Sequence, residues 1–286
     1  MRCLTLLPLL ILLPALPVRG HELAGHPAKH DATAGSAGAE LYLGKRGYWH
    51  AGAEVGLPLS SNLSLQLGAH TVREETGAKE VPSFEVELIR KFEAGLEVEA
   101  FGFGYPMVEK AQAWGLGLRA TKRFALQNGV TLAPFFGPTY AHVGAVDEAT
   151  ESAITVGHLM LIGGATMEAG PVSLTLVGSH SFYNRDPSGL ETPVDLETVA
   201  HFAAYENNDG FARETMAVEM AWEVTEWLTL HARYAAMWFH DKTRQAIAIT
   251  PAVKLGKHVE VTGGVQFLRG GEVENDLIFG GLSVSF

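Results

Sequence analysis

Apolar and polar residues take turns along most of this chain. Leu63, Leu65 and Leu67 alternate with Ser64, Gln66 and Gly68, and Val172, Leu174 and Leu176 with Ser173, Thr175 and Val177. Met216, Val218, Met220, Trp222 and Val224 interleave with Ala217, Glu219, Ala221 and Glu223. Val259, Val261, Gly263, Val265 and Phe267 do the same with Glu260, Thr262, Gly264 and Gln266. Successive strand residues point to opposite faces, so each run predicts a strand with one apolar face. The runs extend over about nine to twelve residues, enough for a tilted strand to cross a bilayer, whereas soluble strands average about five or six. The competing reading, a soluble β-sandwich, calls for shorter strands. Glycines inside the runs weaken intrinsic strand preference and suit a tightly curved or crowded wall.

The segments between the runs sort into two sets. Ser60–Asn62, Glu93–Gly95, Gln127–Gly129, Ala169–Pro171, Thr225–Trp227 and Gly256–His258 are short. The alternate connections, Glu74–Pro82, Met107–Gln112, Gly144–Glu151, Asp186–Ala212, His240–Arg244 and Gly270–Asn275, are mostly longer and more polar. That asymmetry is expected of an outer-membrane barrel, with short turns at the periplasmic rim. Strands counted from Tyr48 onward are odd in number, and bacterial barrels are normally even. Ser36–Gly44, with Ala37, Ala39, Leu41 and Leu43 on one face, supplies the missing first strand. The prediction is an all-β, transmembrane, antiparallel up-and-down barrel of fourteen strands over residues 36–286, with twelve as the alternative.

Composition and the amino-terminal segment agree with this. Arg2 precedes an apolar stretch from Cys3 to Val18, and Val18-Arg19-Gly20 has the form of a cleavage site, so residues 1–20 read as a signal peptide. Pro8, Pro14 and Pro17 argue against a permanent anchoring helix there. Residues 21–35 form a polar, histidine-containing periplasmic leader. The formal charge is −11, and losing Arg2 and Arg19 makes it more negative, which disfavours nucleic acid as a partner. The single cysteine, Cys3, leaves with the signal and permits no disulfide in the mature chain.

The carboxyl-terminal run closes the pattern. Ile278, Gly280, Leu282, Val284 and Phe286 share one face, and the chain ends on an aromatic ring. Signal peptide, alternating strands, sorted turns and terminal Leu282-Ser283-Val284-Ser285-Phe286 together resemble the bacterial outer-membrane β-barrel class, porin-like, without pointing to a subfamily. The resemblance implies outer-membrane lipid and lipopolysaccharide as surroundings. It also implies that Leu282, Val284 and Phe286 form the signal read by the barrel-assembly machinery, a transient partner.

Cross-strand pairing tests the assignment. Three-residue turns at 93–95 and 256–258 put Lys91 opposite Glu97 and Lys254 opposite Glu260 inside, with Phe92 opposite Leu96 and Leu255 opposite Val259 outside. A turn at 225–227 pairs Val224 with Leu228 and puts Glu219 opposite Arg233. A slip of one residue would carry these charges into lipid. The predicted lumen therefore holds Glu54, His70, Glu85, Glu87, Lys91, Glu97, Glu99, Arg119, Arg123, Glu168, Glu219, Glu223, His231, Arg233, Lys254 and Glu260. Such a lining is either a polar conduit with a modest preference for cations or a salt-bridged filling of a narrow barrel. Tyr48, Trp49, Trp114, Tyr140, Trp222, Trp227, Trp238 and Phe286 fall near strand ends, where amphipathic rings settle at the headgroup level.

Other chemistry is sparser. The loop at 186–212 is acidic, with a helix start at Thr192-Pro193-Val194-Asp195 and a helix expected to about Tyr205; folded inward it would narrow a pore, otherwise it caps the outside. His21, His26 and His30, with a new amino terminus at His21, can hold a transition metal, though no fixed motif is present. Ser179-His180-Ser181-Phe182-Tyr183-Asn184 resembles the His-x-Ser-Asn pattern of outer-membrane phospholipases and lipid A deacylases. The serine is misplaced, however, and parity sets His180 outward with Ser179 and Ser181 inward. Glu206-Asn207-Asn208-Asp209-Gly210 lacks the spaced ligands of a calcium loop. No phosphate-binding glycine motif is present, and no cofactor is expected. The leading functional reading is a small channel or passive transporter for ions or small polar solutes, mildly cation-preferring, ahead of a lipid-modifying hydrolase or a structural or metal-handling surface barrel.

Overall fold

The computed structural model describes residues 35–73, 80–108, 111–147, 152–186, 190–191, 212–239, 243–270 and 275–286. The signal peptide expected at residues 1–20, the leader expected to carry His21, His26 and His30, the helix expected from Thr192 and the 206–210 segment lie outside them. The strands are β1 (Ser36–Leu43), β2 (Trp49–Ser60), β3 (Leu63–Arg73), β4 (Val81–Lys91), β5 (Leu96–Val108), β6 (Ala111–Lys122), β7 (Phe124–Ala125) and β8 (Val130–Asp147). They continue with β9 (Ser152–Ala169), β10 (Val172–Tyr183), β11 (Leu190–Glu191), β12 (Glu214–Thr225), β13 (Leu228–Trp238), β14 (Thr243–Lys254), β15 (Val259–Arg269) and β16 (Asn275–Ser285).

Fourteen of these make one closed antiparallel wall. β7 prolongs β6 past Arg123 and pairs with β8, and β11 is a short patch on the edge of β8. Closure comes from β1, which pairs with β2 on one side and β16 on the other. Gly35 and Phe286 extend the seam by exchanging two backbone hydrogen bonds, of 2.8 and 2.9 Å. A closed wall leaves no backbone edge unpaired, which is what a hydrocarbon surrounding demands.

The predicted registers are found at residue level. Lys91 faces Glu97, Lys254 faces Glu260 and Glu219 faces Arg233. The turns after β4 and β7 place their second and third residues in the left-handed region, Ala94 and Gly95 in one, Asn128 and Gly129 in the other. The 225–227 turn differs from expectation: Thr225, not Val224, pairs with Leu228, and a bulge falls between Glu223 and Thr225. The Thr225 hydroxyl accepts hydrogen bonds from the N–H groups of Trp227 and Leu228, which tightens the turn by one residue. Five of the six longer connections are shorter than predicted because the ladders run on; the sixth is slightly longer, since β10 ends at Tyr183 and β12 starts at Glu214. β8 and β9 reach 18 residues each and pair as far as Asp147 with Ser152, so the expected loop from Gly144 is strand through Asp147, while β9 begins at Ser152 as expected.

The outer face is apolar. Leu67, Phe84, Leu116, Phe136, Leu176, Met216, Ile247 and Ile278 are all exposed there, a band that a soluble surface does not carry and a bilayer covers. Trp114, Trp222, Trp227 and Trp238 are exposed on or beside that band. Tyr48 departs from the predicted interfacial position and is buried in an inner apolar cluster.

Candidate functional site

The inner face divides along the barrel axis. Toward the rim of the short turns lies a cavity of about 600 Å³, lined among others by Glu168, Glu219, Arg233, Lys254 and Glu260. Toward the rim of the longer connections, Tyr48, Val72, Val81, Phe101, Phe103, Val143, Val156 and Leu277 pack together with Tyr42 and Ile154. A second inward cluster, with Ala217, Ala235, Met237, Phe239, Ala246 and Leu268, faces the same end. The lumen thus combines a polar vestibule with an apolar collar. Strand parity reveals the vestibule but not the collar, because the inward residues of the collar are as apolar as the outward ones.

Glycine makes room for the inward rings. Phe101 faces Gly117 and Phe103 faces Gly115; Phe135 faces Gly164 and Phe279 faces Gly264. In each pair a Cβ on the glycine would stand 2.0–2.6 Å from the facing ring. The rings therefore lie against the wall over a neighbouring strand and cover backbone that would otherwise be bare, a device that pins register.

The predicted charges sit where parity puts them. Glu54, Glu85, Glu87, Glu97 and Glu99 share the inner face of β2, β4 and β5. Arg119, reaching across from β6, donates a hydrogen bond to Glu99, whose side chain is buried while that of Arg119 is nearly so. Arg123, at the break between β6 and β7, bonds Glu168 at 2.9 Å. The β12–β15 arc is more balanced, with Glu219, Arg233, Lys254 and Glu260, and His231 Nδ1 lies 3.8 Å from Glu219.

Two groups were not both legible beforehand. His180 points outward, as expected, and pairs with Glu214 at 3.4 Å against the edge of Phe182. Ser179 and Ser181 occupy the opposite face of β10, so no serine–histidine pair forms there. The group missed by sequence reading comprises Glu40, His50 and His70 on the adjacent strands β1, β2 and β3. Its side chains are inward, with the two histidines buried and Glu40 partly so, and His50 Nε2 lies 3.3 Å from His70 Nδ1.

No family model matches the chain, and no curated protein is similar to it. Similarity appears among solved structures. The barrel superposes on Pseudomonas aeruginosa OccD3 (OpdP) with a TM-score of 0.53 and 11% identity, covering 95% of each chain. For Acinetobacter baumannii OccAB1 the TM-score is 0.51 at 9% identity, over 88% of this chain and 95% of that one. The fold is porin-like. Pseudomonas aeruginosa OccK8 (OprE) aligns with a TM-score of 0.50 and 12% identity, over 84% of this porin-like chain and 71% of its own.

Proposed function

We propose that the protein is a bacterial outer-membrane channel for ions or small polar solutes, with a modest preference for cations. The charged vestibule carries this reading. It offers about 600 Å³, is lined by both signs of charge, and is set inside a wall whose outer face is apolar. Along β1 to β6 the inward carboxylates Glu40, Glu54, Glu85, Glu87, Glu97 and Glu99 outnumber the cations Lys91 and Arg119. A ring biased toward carboxylates lowers the barrier for cations relative to anions. In this reading the short-turn rim and both chain ends face the periplasm after removal of a signal peptide. Leu282, Val284 and Phe286 engage the assembly machinery, and lipid and lipopolysaccharide contact the outer band.

Planar-bilayer recording tests it. Folded protein should produce discrete conductance steps, and a potassium chloride gradient should give a reversal potential of cation-selective sign. Correctly folded protein that never conducts sinks the channel, and an anion-selective sign sinks the preference.

A further inference from the structure

We propose that Glu40, His50 and His70 form a binding site for one divalent first-row transition-metal ion, with zinc the best match. The three donors come from neighbouring strands. Glu40 faces Gly52 across β1 and β2, Gly52 faces His70 across β2 and β3, and His50 lies two residues from Gly52 on the same inner face. Their ligand atoms converge: His50 Nε2 to His70 Nδ1 is 3.3 Å, His50 Nε2 to Glu40 Oε1 is 3.8 Å, and His70 Nδ1 to Glu40 Oε1 is 3.9 Å. A point about 2.1 Å from all three exists within that triangle, which is the bond length zinc makes to imidazole nitrogen and carboxylate oxygen.

The surroundings favour a cation over a plain hydrogen-bonded knot. A Cβ on Gly52 would stand 2.4 Å from His70 Nδ1 and 3.0 Å from Glu40 Oε1, so the glycine keeps the space between two donors open. Gly68 does likewise for the far side of the His70 ring, at 3.0 Å from Nε2. The His50 ring stacks on Tyr42 with centroids 5.3 Å apart, and Tyr42 stacks in turn on Phe279 at 4.9 Å, which fixes the ring orientation from outside the ligand set. Glu40 also lines the vestibule, giving an ion a way in and leaving a position for water. Two imidazoles and one carboxylate suit zinc and its first-row neighbours and are a poor set for calcium or magnesium. Because β1 is the strand that closes the barrel on β16, the ion would cross-link the seam to the two strands behind it. This site does not depend on the channel reading.

The test uses full-length protein folded in detergent, with zinc titrated by calorimetry and cobalt followed by its visible absorption. One variant changes the leader histidines (His21→Gln, His26→Gln, His30→Gln), and another changes His50→Gln and His70→Gln. The leader variant should still bind one equivalent, with a cobalt spectrum of low-symmetry nitrogen–oxygen ligation. The lumen variant should bind roughly 100-fold more weakly or worse. No stoichiometric binding by the leader variant, or equal binding by the lumen variant, overturns the site. If the lumen variant does not fold, X-ray absorption of the cobalt-loaded leader variant decides: two imidazoles per cobalt support the site, and none overturns it.

Discussion

Phe101 lies over Gly117, its Cζ 2.0 Å from where a Cβ on that glycine would stand. The pair joins neighbouring strands at facing positions, so ring and glycine specify each other. Gly117→Ala should push the ring into the lumen at a cost of about 1–3 kcal/mol, as overpacking of a filled interior does. Urea unfolding from lipid vesicles, followed by tryptophan fluorescence, measures it. Phe101→Ala in the Gly117→Ala background should recover part of the loss, and an unchanged midpoint for Gly117→Ala refutes the packing account.

Glu99 and Arg119 form an ion pair inside the wall, with side chains 3% and 12% exposed. Removing one partner strands a charge, so Arg119→Met should destabilise by about 3–5 kcal/mol. Glu99→Gln together with Arg119→Met should cost much less than the sum of the single changes. Additive costs in a double-mutant cycle would mean that the two groups act independently.

Around the vestibule, Glu219 faces Arg233 and Glu260 faces Lys254. Glu219→Gln with Glu260→Gln removes the carboxylate facing each cation and should move the reversal potential toward anions. The shift should shrink as salt rises, since exposed charges are screened over about 10 Å at 0.1 M ionic strength. A reversal potential that does not move would place these groups off the permeation path.

Leu116 is 62% exposed on the outer face, near the middle of β6. Leu116→Arg should cost about 2–4 kcal/mol in a bilayer, the expected cost of a lipid-facing charge at mid-depth. The check is unfolding from vesicles compared with Leu116→Ala; equal stability of the two variants would remove this face from lipid.

The strand wall was largely legible because period-two alternation carries its own proof: pairs such as Lys91 with Glu97 need only a turn length and a face. The Thr225 bulge was not legible, since one hydroxyl accepting two N–H groups decides it and alternation continues on either side. The end of β8 was hidden because Gly144 and the residues after it look like loop, yet their partners across the ladder hold them extended. Phe101 over Gly117 and the group at Glu40, His50 and His70 require the register of two or three strands at once. Each residue alone reads as ordinary wall, and His70 was placed in the lumen without its companions. The collar was missed for a different reason: Val72, Phe103 and Val156 face inward with side chains that parity assigns to neither lipid nor water.

The β8–β9 hairpin continues past Val143, the last β8 residue that β6 meets, and past His158, the last β9 residue that β10 meets. Beyond those points it pairs with itself and, at Val146 and Asp147, with Leu190 and Glu191. Leu190 and Glu191 therefore lie on the opposite edge of the hairpin from β10. The hairpin runs on by four residues of β8 after Val143 and six of β9 before His158, which at about 3.3 Å per residue along a tilted strand carries it on the order of 10–15 Å past those pairings. Among the described residues, then, the wall is uneven at this end, taller along the β8–β9 hairpin than at the strands paired on either side of it.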